Sequence, residues 1–81
     1  MTRREICFVL ENARKERGLT YKALGARIGM TPDNVRGILQ GWQEPRLGSL
    51  LLVCRGLGLE VAVVAKESAV IYATEFAQKR N

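Results

Sequence analysis

Two short apolar-striped segments separated by Gly29-Met30-Thr31 constrain this chain more than any other feature. Residues 21–28 carry Leu24 and Ile28 on one face behind a capping residue, Thr20, and Leu19 and Leu24 straddle that cap as a hydrophobic staple does. Thr31 opens the second segment, Pro32 falls on the first helical position where its missing N–H costs nothing, and Met30 with Val35 repeats the staple. Val35, Ile38 and Leu39 then form an apolar stripe, and Gly41 supplies the left-handed conformation that ends it. Gly25 is small where two helices must touch, and Gly29 stands where the turn needs a positive φ. The spacing predicts two helices joined by a tight corner. Most helical corners bind nothing, so the specificity lies in this combination of residue types.

The flanks extend the helical pattern. Thr2-x-x-Glu5 has the form of a capping box, and Ile6, Val9, Leu10 and Ala13 recur at helical spacing, which predicts a first helix ending near Gly18. Residues 42–46 read as a loop; Leu47, Leu50, Leu51, Cys54 and Leu57 mark a fourth helix stopped at Gly58, with Cys54 as a buried thiol on its stripe. Residues 60–66 are valine-rich, bounded by charges and short for a helix, which predicts a strand. In residues 67–81, Val70, Ala73, Thr74 and Ala77 favour a helix, with a second strand over 69–74 as the alternative. The expected fold is mainly α with one C-terminal strand, divided into a helical bundle over residues 1–58 and a strand and tail over 59–81.

Charge placement says more than the net +5. Acidic and basic residues cancel over residues 1–13 and 56–81, so the whole excess lies between, on Arg14, Lys15, Arg17, Lys22, Arg27, Arg36, Arg46 and Arg55 against Glu16, Asp33 and Glu44. A localised basic field suits a phosphate-binding surface, and a solvated basic face is the competing reading. The chain has no histidine, and Cys7 and Cys54 lie far apart, so neither a zinc site nor a disulfide framework is legible and no cofactor is expected. The apolar run Ile6 to Leu10 is too short for a signal peptide and no run reaches the ~18 residues of a membrane span, so a reducing cytoplasm is the expected home. A single domain of 81 residues buries only about 60 % of its unfolded surface, which favours a partner subunit.

Through Arg17-Gly-Leu-Thr20, Leu24-Gly25, Ile28-Gly29-Met30-Thr31, Val35 and Gly41, continuing through Pro45 to the Gly-Leu-Gly-Leu that ends at Leu59, the chain resembles the Cro and lambda-repressor-like helix-turn-helix family, also called the XRE family. The resemblance implies a compact bundle of four or five helices, with the third in the DNA major groove and a homodimer on a palindromic operator of double-stranded DNA. Two positions depart from the family pattern. Tyr21 stands where the family usually has a glutamine that binds phosphate and braces the recognition helix; its hydroxyl retains a donor for phosphate, its bulk argues against the brace, and packing into the core is the alternative. Arg46 stands where the family has a serine-like cap, which weakens the cap and adds a cation for a phosphate contact.

With Val35, Ile38 and Leu39 inward, Asp33, Gly37 and Gln40 turn outward, flanked by Asn34 and Arg36. Arg36 can donate two hydrogen bonds to a guanine edge and Asn34 can pair with adenine, while Gln40, a turn later, meets the backbone. Thr31 and Pro32 sit nearest the groove floor, where they can touch a thymine methyl; Lys22 opens the second helix as a phosphate contact. Asp33 either accepts from a cytosine amino group or complements the helix dipole, the second being favoured. Gly37 costs helix stability, which close approach to DNA or to another helix would explain.

Without histidine, a metal site or a phosphate-cradling loop, the chain is expected not to be an enzyme. Short helix-turn-helix proteins with a valine-rich strand after a Leu-Gly-Leu segment are also similar to antitoxins, which bind their own operator and neutralise a protein toxin; the tail from Glu67 would then hold the toxin. A third reading is a pure protein-interaction module with Asp33 spoiling DNA contact. The valine segment fits dimerisation, with Val61 and Val63 or Val64 buried against a second copy.

Overall fold

The computed structural model describes residues 2–66. These form four helices, α1 (Arg3–Glu16), α2 (Tyr21–Ile28), α3 (Pro32–Leu39) and α4 (Leu47–Gly56). Three of them start on threonine caps read from the sequence. Thr2 and Glu5 close a reciprocal capping box, Thr20 Oγ1 accepts from Ala23 N at 3.0 Å, and Thr31 Oγ1 accepts from Asn34 N at 3.2 Å. The fourth start, at Arg46, has no side-chain cap, as the missing serine implies.

Helices α2 and α3 pack on each other, α3 also contacting α1 and α2 also contacting α4. Their apolar faces meet in one core of Leu10, Ala13, Leu24, Val35, Ile38, Leu39, Val53, Cys54 and Leu57, and Leu19 and Met30, the two staple residues, pack against it. Burial pushes the Cys54 thiol upward in pKa, which keeps it an uncharged, apolar filler. Gly29, with φ +73°, makes the α2–α3 corner, and Met30 N donates to Gly25 O at 2.9 Å across it. The need for a small residue at Gly25 comes from this corner rather than from a neighbouring helix, since a Cβ there would run into the Met30 carbonyl.

The stripe assignments need three corrections. Val9 on α1, and Leu47 and Leu51 on α4, are exposed, and Val53 takes the buried place on α4. The packed face of α4 is Leu50, Val53, Cys54 and Leu57, rotated from the one that leucine spacing alone suggests, because in a nearly all-apolar run any phase looks hydrophobic. The strand expected over residues 60–66 is not formed: among the described residues there is no strand, and this segment is irregular apart from a 3₁₀ residue at Lys66. A strand needs a backbone partner, and the described part of a single chain offers none. The tail, with its expected helix, alternative second strand and toxin-holding role, lies outside the described residues.

Candidate nucleic-acid interface

The α2–α3 pair presents its exposed side chains from positions that the caps and the stripe dictate. Turning Val35, Ile38 and Leu39 into the core leaves Thr31, Pro32, Asp33, Arg36 and Gln40 exposed and Asn34 half-buried. Asp33 lies in the first turn of α3, where a carboxylate complements the positive end of the helix dipole. Lys22, in the first turn of α2, and Arg46, at the start of α4, are exposed and make no hydrogen bond or ion pair with the described residues.

The structure sorts the basic excess. Arg14 is held by Glu11 at 2.6 Å and donates to Leu19 O at 2.7 Å; Arg17 bonds Ala13 O in its own helix at 3.1 Å. Arg27 donates to Gly56 O at 3.2 Å, closing the C-terminal end of α4 with a cation. These three serve the fold. Lys15, Lys22, Arg36, Arg46 and Arg55 remain, all exposed and without a hydrogen bond or ion pair from their side chains among the described residues.

Tyr21 and Gln40 are tied together through a residue that sequence reasoning missed. Glu11, on α1, accepts from the Tyr21 hydroxyl, from Gln40 Nε2 at 2.6 Å and from Arg14 Nε, and Gln40 Nε2 also donates to Tyr21 Oη at 2.9 Å. The Arg14 guanidinium lies 4.2 Å from the centre of the Tyr21 ring. Tyr21 is half-buried against the core, and its hydroxyl also ties α2 to the end of α3 in spite of its bulk, because its reach meets Gln40 there. Burial pushes the Glu11 carboxyl upward, but the hydrogen bonds from Arg14 and Tyr21 outweigh it and hold the group below its ordinary pKa of 4.5. Arg14 is raised in turn by its bond to Glu11. Only the three-residue spacing of Glu11 and Arg14 was readable; the ties to Tyr21 and Gln40 require the fold.

Gly37 also differs from expectation. It is buried, not outward-facing, because the loop after α3 folds back over it: Trp42 N and Gln43 N both donate to Gly37 O, at 2.8 and 3.1 Å, and a Cβ on Gly37 would come within 2.8 Å of Gln43 Cδ. That fold-back carries the exposed indole of Trp42 to Arg36, whose guanidinium lies 5.0 Å from the ring centre.

A two-helix corner with capped starts, a glycine turn, and a second helix buried by one stripe and exposed along the other defines a helix-turn-helix module. Residues 8–66 match the model of the helix-turn-helix domain family, and the chain belongs to that family, in agreement with its XRE-like motif. Over 58 residues, 72% of the chain, it is 38% identical to an uncharacterized HTH-type transcriptional regulator, y4dL, of Sinorhizobium fredii, of which it spans 30% of the length. No solved structure matches the chain.

Proposed function

We propose that this chain is a sequence-specific DNA-binding transcriptional regulator of bacterial cytoplasm, a repressor acting as a homodimer on a palindromic operator. One observation carries the reading: the α2–α3 corner holds a recognition-type helix whose solvent face bears Arg36, with Asn34 half-buried at its edge, while Lys22 and Arg46 stand unpaired among the described residues at the starts of α2 and α4. In this reading Arg36 and Asn34 read base edges, Thr31 and Pro32 touch thymine methyls, and Lys22 and Arg46 hold phosphates. Tyr21 and Gln40 position α3, and Asp33 complements its dipole. The similarity to a relative named as a transcriptional regulator supports the same class.

The dimer is supported by apolar exposure. Val63 is 97% and Val61 54% exposed, Val64 is half-buried, and a groove between α1, α4 and the segment 59–62 is lined by Ile6, Val9, Leu50, Cys54 and Leu59. In this reading residues 1–58 bind DNA, and residues 60–66 acquire their ladder partner from a second copy, spacing two recognition helices about 34 Å apart. Selection of bound sequences from a random DNA pool tests the proposal: a palindromic consensus with a steep salt dependence is expected, and no selected sequence overturns it. Light scattering on Val63→Glu tests the dimer, with a folded monomer as the expected result and an unchanged dimer as the result that moves the interface elsewhere.

A further inference from the structure

The Arg36–Trp42 stack is built by a chain of local causes. Gly37 has no side chain, which admits Gln43 onto the helix; the Gly37 carbonyl then takes both loop N–H groups, at 2.8 and 3.1 Å; and the loop so pinned sets Trp42 beside Arg36, the residue before Gly37 on α3. Trp42 is 67% exposed, an unusual place for the chain's single tryptophan unless the ring has work at the surface. Arg36 has no carboxylate partner among the described residues, so the indole is the group that holds it.

We propose that Trp42 is the platform that orients Arg36 toward a base, so that indole and guanidinium together form one specificity element; this rests on the DNA-binding reading above. The geometry suits the task. A guanidinium stacked on an aromatic ring offers its face to the ring and keeps its N–H donors in its own plane, so stacking leaves the bidentate edge free for guanine O6 and N7. A long, exposed arginine otherwise loses rotamer freedom on binding, and a platform that restricts it beforehand lowers that cost. Trp42 acts through Arg36 and is a positioning residue.

The test compares wild type, Trp42→Ala, Trp42→Phe, Arg36→Ala and the Trp42→Ala/Arg36→Ala double variant, each checked for helicity by circular dichroism and then taken through selection from a random DNA pool and affinity titration on the selected site. Trp42→Ala is expected to weaken binding to that site about three- to tenfold. It should relax the same base position as Arg36→Ala and leave low-salt binding to unrelated DNA unchanged. The double variant should be no weaker than Arg36→Ala alone, and Trp42→Phe should retain the preference. A Trp42→Ala consensus identical to wild type, a loss spread evenly over all sequences, or additive losses in the double variant would overturn the proposal. If Trp42→Ala does not fold, Trp42→Leu, which keeps apolar bulk without an aromatic face, decides: it should relax the same base position, and a wild-type consensus from it overturns the proposal. A wild-type protein that selects no DNA overturns the functional reading and this proposal together, an outcome distinct from a wild-type consensus that Trp42 variants share.

Discussion

The hydroxyl of Tyr21, at the first position of α2, accepts a 2.9 Å hydrogen bond from Nε2 of Gln40, the residue that caps the end of α3, while donating to Glu11 on α1. Three helices thus meet at one phenol. The angle between α2 and α3 is set at the corner by Gly29 and at the far end by this contact, so the recognition-type helix is fixed at both ends.

Removing the phenol oxygen isolates that contact. Tyr21→Phe keeps the ring under Arg14 but leaves Gln40 and Glu11 each short of a partner, and is expected to destabilise the fold by about 0.5–1.5 kcal/mol. Chemical denaturation checks the magnitude. Affinity for a selected DNA site should fall more than affinity for unrelated DNA, since a loosened α3 loses base contacts before phosphate contacts.

Glu11 gives the fold an acid limb. Its folded pKa lies below the ordinary 4.5, so its contribution is fully present above the unfolded value and is lost as pH falls through the folded one. Glu11→Gln should cost about 1–2 kcal/mol at neutral pH and flatten the loss of stability below pH about 4.5. Thermal melts of both proteins from pH 7 to pH 3 measure it; parallel acid limbs would show that Glu11 is not the titrating group.

Gly25→Ala puts a methyl against the Met30 carbonyl, backbone that cannot swing aside. The expected cost is about 1–3 kcal/mol, despite the better helix propensity of alanine, read as a lowered melting temperature. Gly37→Ala meets the exposed Gln43 side chain from Cγ outward rather than backbone, and should cost less.

Lys22→Ala and Arg46→Ala should each weaken DNA binding about equally on all sequences and lower the salt slope by about one unit, because in the proposed reading each removes one phosphate contact. Affinity measured across a salt series on a selected and an unrelated duplex checks this. A sequence-dependent loss would assign the residue to base reading instead.

The helix starts at Thr2, Thr20 and Thr31, and the turn at Gly29, were legible because each is written within three or four adjacent residues. The phase of α4 was not, since Leu50, Leu51, Leu52 and Val53 are all apolar and only the packing against α2 decides which are covered. Of the interface, the exposed positions of Arg36 and Lys22 followed from the buried stripes, whereas the contacts of Glu11, Gln40 and Trp42 did not. Glu11 reaches Gln40 across 29 positions of sequence, and the loop fold-back onto Gly37 depends on a missing side chain that reads equally well as room for DNA.

The threonine caps also bear on how quickly the bundle assembles. Each reports the start of a helix to the chain through a bond three residues long, at 3.2, 3.0 and 3.2 Å, before any distant segment is in place. With helices begun locally and no strand ladder among the described residues, the loop-closure entropy to be overcome at the folding barrier is small. The helical bundle is expected to fold on the order of microseconds to milliseconds, which stopped-flow refolding would check. Mutating Thr20 or Thr31 to alanine should then slow refolding to the extent that its helix is already formed at the barrier, so the ratio of kinetic to equilibrium effects would show which of the two helices of the corner forms first.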